Sequence, residues 1–187
     1  MPTSASEAIP YIIEFLREEV PHPKRILDIG VGFGKLGFLI RDYFEAKENL
    51  RFSKDDWRIK IVGIEIYPKY ISKLQKYLYD QILIGDVFDK LPALGKFDVA
   101  LLGDIIEHFE KDDGHRLLAE LFKHTENIVV STPYGYKAQA KIGSNSNEAH
   151  KSGWTLKDFN RYTIVRQKKI PRIRRKENVL VVFLRPS

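Results

Sequence analysis

The 187-residue chain contains no cysteine. That excludes a disulfide framework, a Cys-ligated zinc, an iron–sulfur cluster and a thiol nucleophile. No apolar run approaches the roughly eighteen residues a membrane-spanning helix needs, so no membrane partner is expected. The opening residues, MPTSASEAIP, lack a basic region followed by an apolar one, so no secretory signal is expected and the cytoplasm is the expected compartment. Internal repeats and low-complexity stretches are also missing. What is present is the composition of a soluble globular domain of ordinary size, 43% hydrophobic and 30% charged. Eleven Phe, nine Tyr and two Trp can supply its core.

The net charge of +6 is unevenly spread. Residues 160–187 hold nine basic side chains (Arg161, Arg166, Lys168, Lys169, Arg172, Arg174, Arg175, Lys176 and Arg185) and one acid, Glu177. The rest of the chain holds 22 basic and 24 acidic residues and is slightly acidic. A basic segment of this kind suits an anionic partner such as RNA if it forms one face. The alternative is a solvated, charged hairpin.

Hydrophobic periodicity alternates between strand and helix. Ile9, Ile12, Ile13, Leu16 and Val20 share a helical face, with Ser6 as the expected cap, and Pro21-His22-Pro23 ends that helix. Arg25–Ile29 reads as a buried strand. Leu36, Leu39, Ile40, Tyr43 and Phe44 recur at helical spacing, and residues 45–58 read as charged and irregular. Further strands are expected at Ile59–Ile66, Ile82–Ile84, Phe97–Leu102 and Asn127–Ser131. Helices are marked by Ile71, Leu74, Tyr77 and Leu78, and by Leu117, Leu118, Leu121 and Phe122. Alternating strands and helices predict an α/β, Rossmann-like, doubly wound parallel sheet. Tyr162–Lys169 and Val179–Leu184 have no helix between them and predict a terminal antiparallel hairpin.

The first strand runs into glycines. Glycine lets backbone approach a ligand, and the following helix offers unpaired N–H groups. Gly32-x-Gly34-x-x-Gly37 matches the dinucleotide fingerprint, but it begins three residues past the strand end. Asp28-x-Gly30-x-Gly32-x-Gly34 fits the strand–turn junction better. An acid at that point suits a cationic amino group and opposes a pyrophosphate.

ILDIGVGFG resembles motif I of the class I S-adenosylmethionine-dependent methyltransferases. Glu65, in IVGIEIYP, is similar to their ribose-binding acid after strand 2. Gly85-Asp86-Val87 resembles the adenine-contacting turn after strand 3, and FDVALLGDIIEHF resembles strand 4 with its active-site turn. The likeness covers residues 24–187 and implies seven strands in the order 3-2-1-4-5-7-6, with strand 7 antiparallel. It implies S-adenosylmethionine as cofactor. Gly30, Gly32 and Gly34 would pack along its methionine and ribose, and Asp28 would meet its amino group. Glu65 would accept from both ribose hydroxyls. Ile66 and Val87 would sandwich adenine, Asp86 would accept from its exocyclic amine, and Asp104 would border the cofactor where strand 4 ends. Read without the resemblance, Asp86 is an ordinary turn residue.

The same likeness locates the acceptor at Gly103–Phe109. No Asn/Asp-Pro-Pro-aromatic motif is present there, which argues against adenine or cytosine amines, and the lack of cysteine excludes the covalent route to pyrimidine C5. Asp104, Glu107 and His108 stand at i, i+3 and i+4, the same face of a helical turn. This stretch resembles the acid-x-x-Glu-His segment of metal-dependent small-RNA terminal 2′-O-methyltransferases and ubiquinone-pathway O-methyltransferases. In the RNA group a later histidine, shortly before a tryptophan, completes the set. His150, ahead of Trp154, is similar. Asp104, Glu107, His108 and His150 are therefore candidate catalytic residues and candidate ligands of a divalent metal. Metal-free alternatives are His108 as general base, or Asp104 and Glu107 as a helix-start pair.

Residues 133–153 form a long Gly-, Ser- and Asn-containing stretch after strand 5, expected to be an active-site loop, with residues 1–22 as a second candidate lid. His22, His115 and His124 are expected to be merely solvated. Three functions follow: a methyltransferase for a small or saccharide-like molecule, a metal-dependent RNA 2′-O-methyltransferase, or a non-catalytic cofactor- or RNA-binding module. The intact Gly30–Gly34 loop, Glu65 and His108 favour an enzyme over a module. Oligomeric state is not encoded in any motif.

Overall fold

A computed structural model of the chain describes residues 5–140, 145–172 and 177–187. Seven strands form one sheet: β1 (Arg25–Ile29), β2 (Lys60–Glu65), β3 (Gln81–Ile84), β4 (Val99–Gly103), β5 (Ile128–Pro133), β6 (Thr163–Pro171) and β7 (Asn178–Arg185). Their order is 3-2-1-4-5-7-6, as expected. β1 to β5 pair in parallel, and β7 runs antiparallel between β5 and β6. Helices α1 (Ile9–Glu19), α2 (Lys35–Ile40), α3 (Lys73–Leu78), α4 (Val87–Lys90) and α5 (Lys111–Leu121) flank the sheet.

Strand alternation divides the core between the two faces. Ile26, Ile61, Val99, Leu101, Val129 and Phe183 pack with Ile12, Leu16, Leu36 and Ile40 of α1 and α2. Leu27, Ile29, Val62, Leu102 and Val130 pack with Leu117, Leu118 and Leu121 of α5. Both faces of β1, β4 and β5 are thus covered, which is why their sequences read as continuous apolar runs. β6 is the sheet edge and stays largely exposed. Its charged side chains suit that position, because an apolar edge would template aggregation.

Three local expectations change. Ser6 is not a helix cap. It begins a 3-10 turn (Ser6–Ala8), and α1 starts after Ala8 with no side-chain cap. On α3 the buried face carries Gln75 and Leu78, while Leu74 and Tyr77 are exposed. The irregular stretch 45–58 is anchored by a buried ion pair. After α2 the chain continues as a π-helical segment (Arg41–Lys47), where Arg41 lies 3.4 Å from Glu45. Arg41 also donates to Asp80 and to the Leu78 and Ile59 carbonyls. Glu45 accepts from the Arg58 and Ile59 N–H groups, so the pair leads the chain into β2.

Candidate active site

A cavity of about 490 Å³ opens at the C-terminal edge of the parallel strands. One half is built by the glycine turn. Gly30, Gly32 and Gly34 have φ of 77°, 50° and 82°. That left-handed region favours residues without Cβ. A Cβ on Gly30 would also lie 2.0 Å from Ile105 Cδ1. Gln75 secures the turn from α3, donating to the Gly32 carbonyl at 2.8 Å and to the Tyr70 carbonyl at 2.8 Å. Asp28, at the end of β1, is 1% exposed. Its Oδ2 accepts from the Tyr79 hydroxyl at 2.5 Å, and its Oδ1 is buried with no hydrogen-bond partner. Burial pushes its pKa up to about 7; the Tyr79 bond opposes that rise and the Glu65 charge adds to it.

Glu65 closes β2 within the same half. Its Oε2 accepts from Gly32 N–H at 2.9 Å and its Oε1 from Tyr67 N–H at 2.8 Å. Each carboxylate oxygen keeps a second lone-pair direction for a ligand. Ile66, Asp86 and Val87 line the cavity. Asp86 is also the turn residue that the sequence read without the resemblance predicts, capping α4 through Phe88 N–H at 2.8 Å.

The other half is the turn after β4. Asp104 has φ of 55°, an unusual conformation for a non-glycine residue. The chain then enters a 3-10 turn, Ile106–His108, in place of the α-helical turn expected. Asp104 is not its cap, so the helix-start pair is not formed. Instead the Asp104 carboxylate accepts from Ala5 N–H at 2.8 Å and Ser131 Oγ at 3.2 Å. Glu107, His108 and His150 each offer one ligand atom, all within 4.8 Å of one another. Asp104 is not part of that group. Glu107 is buried; Thr132 donates to its Oε2 at 3.0 Å, and its Oε1 has no partner. Burial and the nearby Asp104 charge hold its pKa well above the usual carboxylate range.

His108 and His150 meet with ring centroids 5.0 Å apart. His108 Nδ1 lies 3.2 Å from the Ala149 carbonyl, and His150 Nδ1 lies 2.8 Å from the Lys137 carbonyl. A carbonyl facing Nδ1 requires the proton there, which leaves Nε2 of a neutral ring as the basic or ligating atom. Burial, and then the neighbouring His108, lower the His150 pKa, which favours that neutral form.

Described parts of the 133–153 stretch wall the cavity through Lys137, Gln139, Asn145, Glu148, His150 and Lys151. Lys151 and Ser152 N–H groups both donate to the Glu107 carbonyl. Trp154, fully buried, anchors the end of the stretch; its indole N–H donates to Ser152 Oγ at 2.8 Å. His115, expected to be solvated, packs on that indole with centroids 4.9 Å apart. Among the described residues none of α1 lines the cavity, and Ala5, in the segment before it, reaches the site edge.

The basic segment is divided among several jobs. Arg166 pairs with Glu18 and Glu19 of α1, and Arg185 with Glu19. Lys168 sits over Tyr11, Lys169 over Tyr134, and Arg172 lines the cavity. Among the described residues these basic side chains are thus engaged by neighbours within the chain. Arg174, Arg175 and Lys176 lie outside the described residues.

Tyr79, Gln75, Thr132 and Ser131 shape the site and were not singled out by sequence reasoning. Each touches it from another element, with no spacing signal.

No protein-family model and no curated protein matches the sequence. Solved structures share its architecture. Burkholderia thailandensis 1,6-didemethyltoxoflavin-N1-methyltransferase, with bound 1,6-didemethyltoxoflavin and S-adenosylhomocysteine, aligns with a TM-score of 0.69 at 15% identity, over 97% of this chain and 80% of its own. The N-terminal domain of EvdMO1, in the presence of S-adenosylhomocysteine and D-fucose, gives 0.65 at 14% identity, over 100% and 86%. The methyltransferase domain of bacterial CtHen1-CN gives 0.60 at 16% identity, over 96% and 97%. Such identities speak to architecture alone. The chain has the seven-stranded, Rossmann-like fold of the class I methyltransferases.

Proposed function

We propose that the chain transfers a methyl group from S-adenosylmethionine to an oxygen or nitrogen of a small or saccharide-like acceptor. The observation that carries this is one cavity with two unlike halves. One presents a buried carboxylate oxygen without a partner beside three left-handed glycines; the other presents two histidines against a buried carboxylate. Asp28 Oδ1 suits the cofactor's cationic amino group, because a buried acceptor without a donor is costly until one arrives. Glu65 receives the ribose hydroxyls, and Ile66 and Val87 flank adenine. The ligands in the EvdMO1 and Burkholderia structures support a small acceptor.

Sulfonium-bound methyl is already activated, so the protein's task is alignment and removal of the acceptor's proton. His108 Nε2 is the base. A divalent metal also fits the Glu107–His108–His150 group, because Glu107 Oε1 lacks a partner and both histidines are held through Nδ1. When bound there, a metal supplies a lowered acceptor-hydroxyl pKa.

Calorimetry tests the cofactor first: S-adenosylhomocysteine should bind, and NAD should not. NAD binding at micromolar strength with none for the methyl donor would overturn the reading. Tritium transfer from labelled cofactor into fractionated cell extract then identifies the acceptor.

An RNA acceptor is the second reading, favoured by Lys35, Lys137, Lys151 and Arg172 around the same cavity. RNA affinity should then fall steeply as salt rises. Absence of RNA binding at low salt leaves the small-molecule reading.

A further inference from the structure

The third glycine of the dinucleotide-like pattern, Gly37, has no part in the glycine turn. It lies in α2 and faces Tyr79, which follows α3. A Cβ on Gly37 would lie 2.4 Å from Tyr79 Cε2, and one on Gly63 of β2 would lie 3.1 Å from Tyr79 Cδ1. Both glycines therefore make room for one ring, which is 2% exposed. A phenol buried this deeply is kept where its hydroxyl has partners. Gly37 N–H donates to the Tyr79 oxygen at 3.2 Å. With that lone pair occupied, the hydroxyl proton is directed to Asp28 Oδ2, 2.5 Å away.

Resting on the cofactor reading above, we propose that Tyr79 is a positioning residue for the methyl donor. By donating to Oδ2, it keeps the buried Asp28 carboxylate ionised and turned so that Oδ1 is left for the donor's cationic amino group. Hydrogen bonding to the charged form opposes the desolvation that would otherwise neutralise a buried acid. Tyr79 and Glu65 are the titratable groups acting on Asp28; burial holds Tyr79 itself well above the usual phenol range, so it remains a donor. Glu65 acts in the opposite sense, its charge disfavouring a second one at Asp28.

Calorimetry across pH 5.5–8.5 tests this with S-adenosylhomocysteine and with 5′-methylthioadenosine, which lacks the amino-acid portion. In the wild type, affinity for S-adenosylhomocysteine should rise with pH as Asp28 ionises, and that for methylthioadenosine should not. In Tyr79→Phe the midpoint for S-adenosylhomocysteine should move up by about one pH unit, the order expected for one hydrogen bond to a charged group. Methylthioadenosine binding should be unaltered. An unchanged midpoint in Tyr79→Phe, or an equal loss for both ligands, overturns the role of Tyr79 while leaving the cofactor reading intact. Failure of the wild type to bind either ligand at any pH defeats the cofactor reading itself, and this inference with it. Should Tyr79→Phe fail to fold, wild-type protein labelled with fluorotyrosine serves instead. The 19F resonance perturbed by Asp28→Asn should then titrate with the same midpoint as S-adenosylhomocysteine binding. A resonance constant through that midpoint would exclude the coupling.

Discussion

Glu65 illustrates how one side chain serves structure and ligand together. Its oxygens accept Gly32 and Tyr67 N–H groups, so it shapes the glycine turn before any ribose arrives. Glu65→Ala should weaken S-adenosylhomocysteine binding by about 1.5–3 kcal/mol, the worth of a charged hydrogen bond, as read by calorimetry. His108→Ala should lower turnover roughly a hundredfold or more, measured by tritium transfer once an acceptor is found. Chelation separates the two versions of its chemistry: it should abolish turnover but spare cofactor binding if a metal is used, and change nothing if His108 acts alone. At this scale, residues inside motifs were legible from the sequence. Asp28 and Glu65 stand at strand ends and His108 in the turn after one, where local pattern alone indicates exposure to a ligand. Gln75 and Tyr79 carry no such mark, because their function is contact with the glycine turn and with β1, some forty or fifty positions earlier in the chain.

Among the elements, α5 and the 133–153 stretch depend on each other at Trp154. Lys111, in the first turn of α5, sits over the indole and donates to the Gly153 carbonyl. Gly114 of α5 lets the ring lie against the helix; a Cβ there would be 2.4 Å from Trp154 Cζ2. Gly114→Ala should gain about 1 kcal/mol of helix propensity. It should lose about 1–3 kcal/mol to overpacking. The expected net result is a lower melting temperature, and a displaced Trp154 would disturb Ser152 and, through it, the Glu107 turn. Thermal unfolding followed by Trp fluorescence measures both. Helix and strand positions here were legible from apolar periodicity. The buried face of α3 was not, because Gln75 is polar and its burial is satisfied only by carbonyls from other segments.

Across the whole molecule, buried carboxylates converge at one edge of the sheet. Burial raises the pKa of Asp28, Glu65, Asp104 and Glu107. A raised folded-state pKa means that the native state retains protons the unfolded state has lost, so stability falls as pH rises. His115 and His150 are shifted downward, mainly by burial, and oppose this by costing stability below about pH 6.5. The carboxylates therefore dominate above that value. The ligand-free protein should melt at progressively lower temperature between pH 6.5 and 8, and S-adenosylhomocysteine should flatten the slope by supplying Asp28 with a cation. A melting temperature that rises through this window would contradict the shared burial of these acids. Strand positions, the glycine turn and the identity of the strand-end acids were legible in the sequence alone, because periodicity and turn stereochemistry act between near neighbours; the strand order followed only from the family resemblance. Tertiary structure alone decided that Asp104 turns to Ala5 and Ser131 and stands outside the Glu107–His108–His150 group, that the basic side chains are divided, and that Tyr79 backs Asp28. Those contacts join distant segments, and their partners are selected by packing and by the need to satisfy buried polar atoms, which no local pattern records.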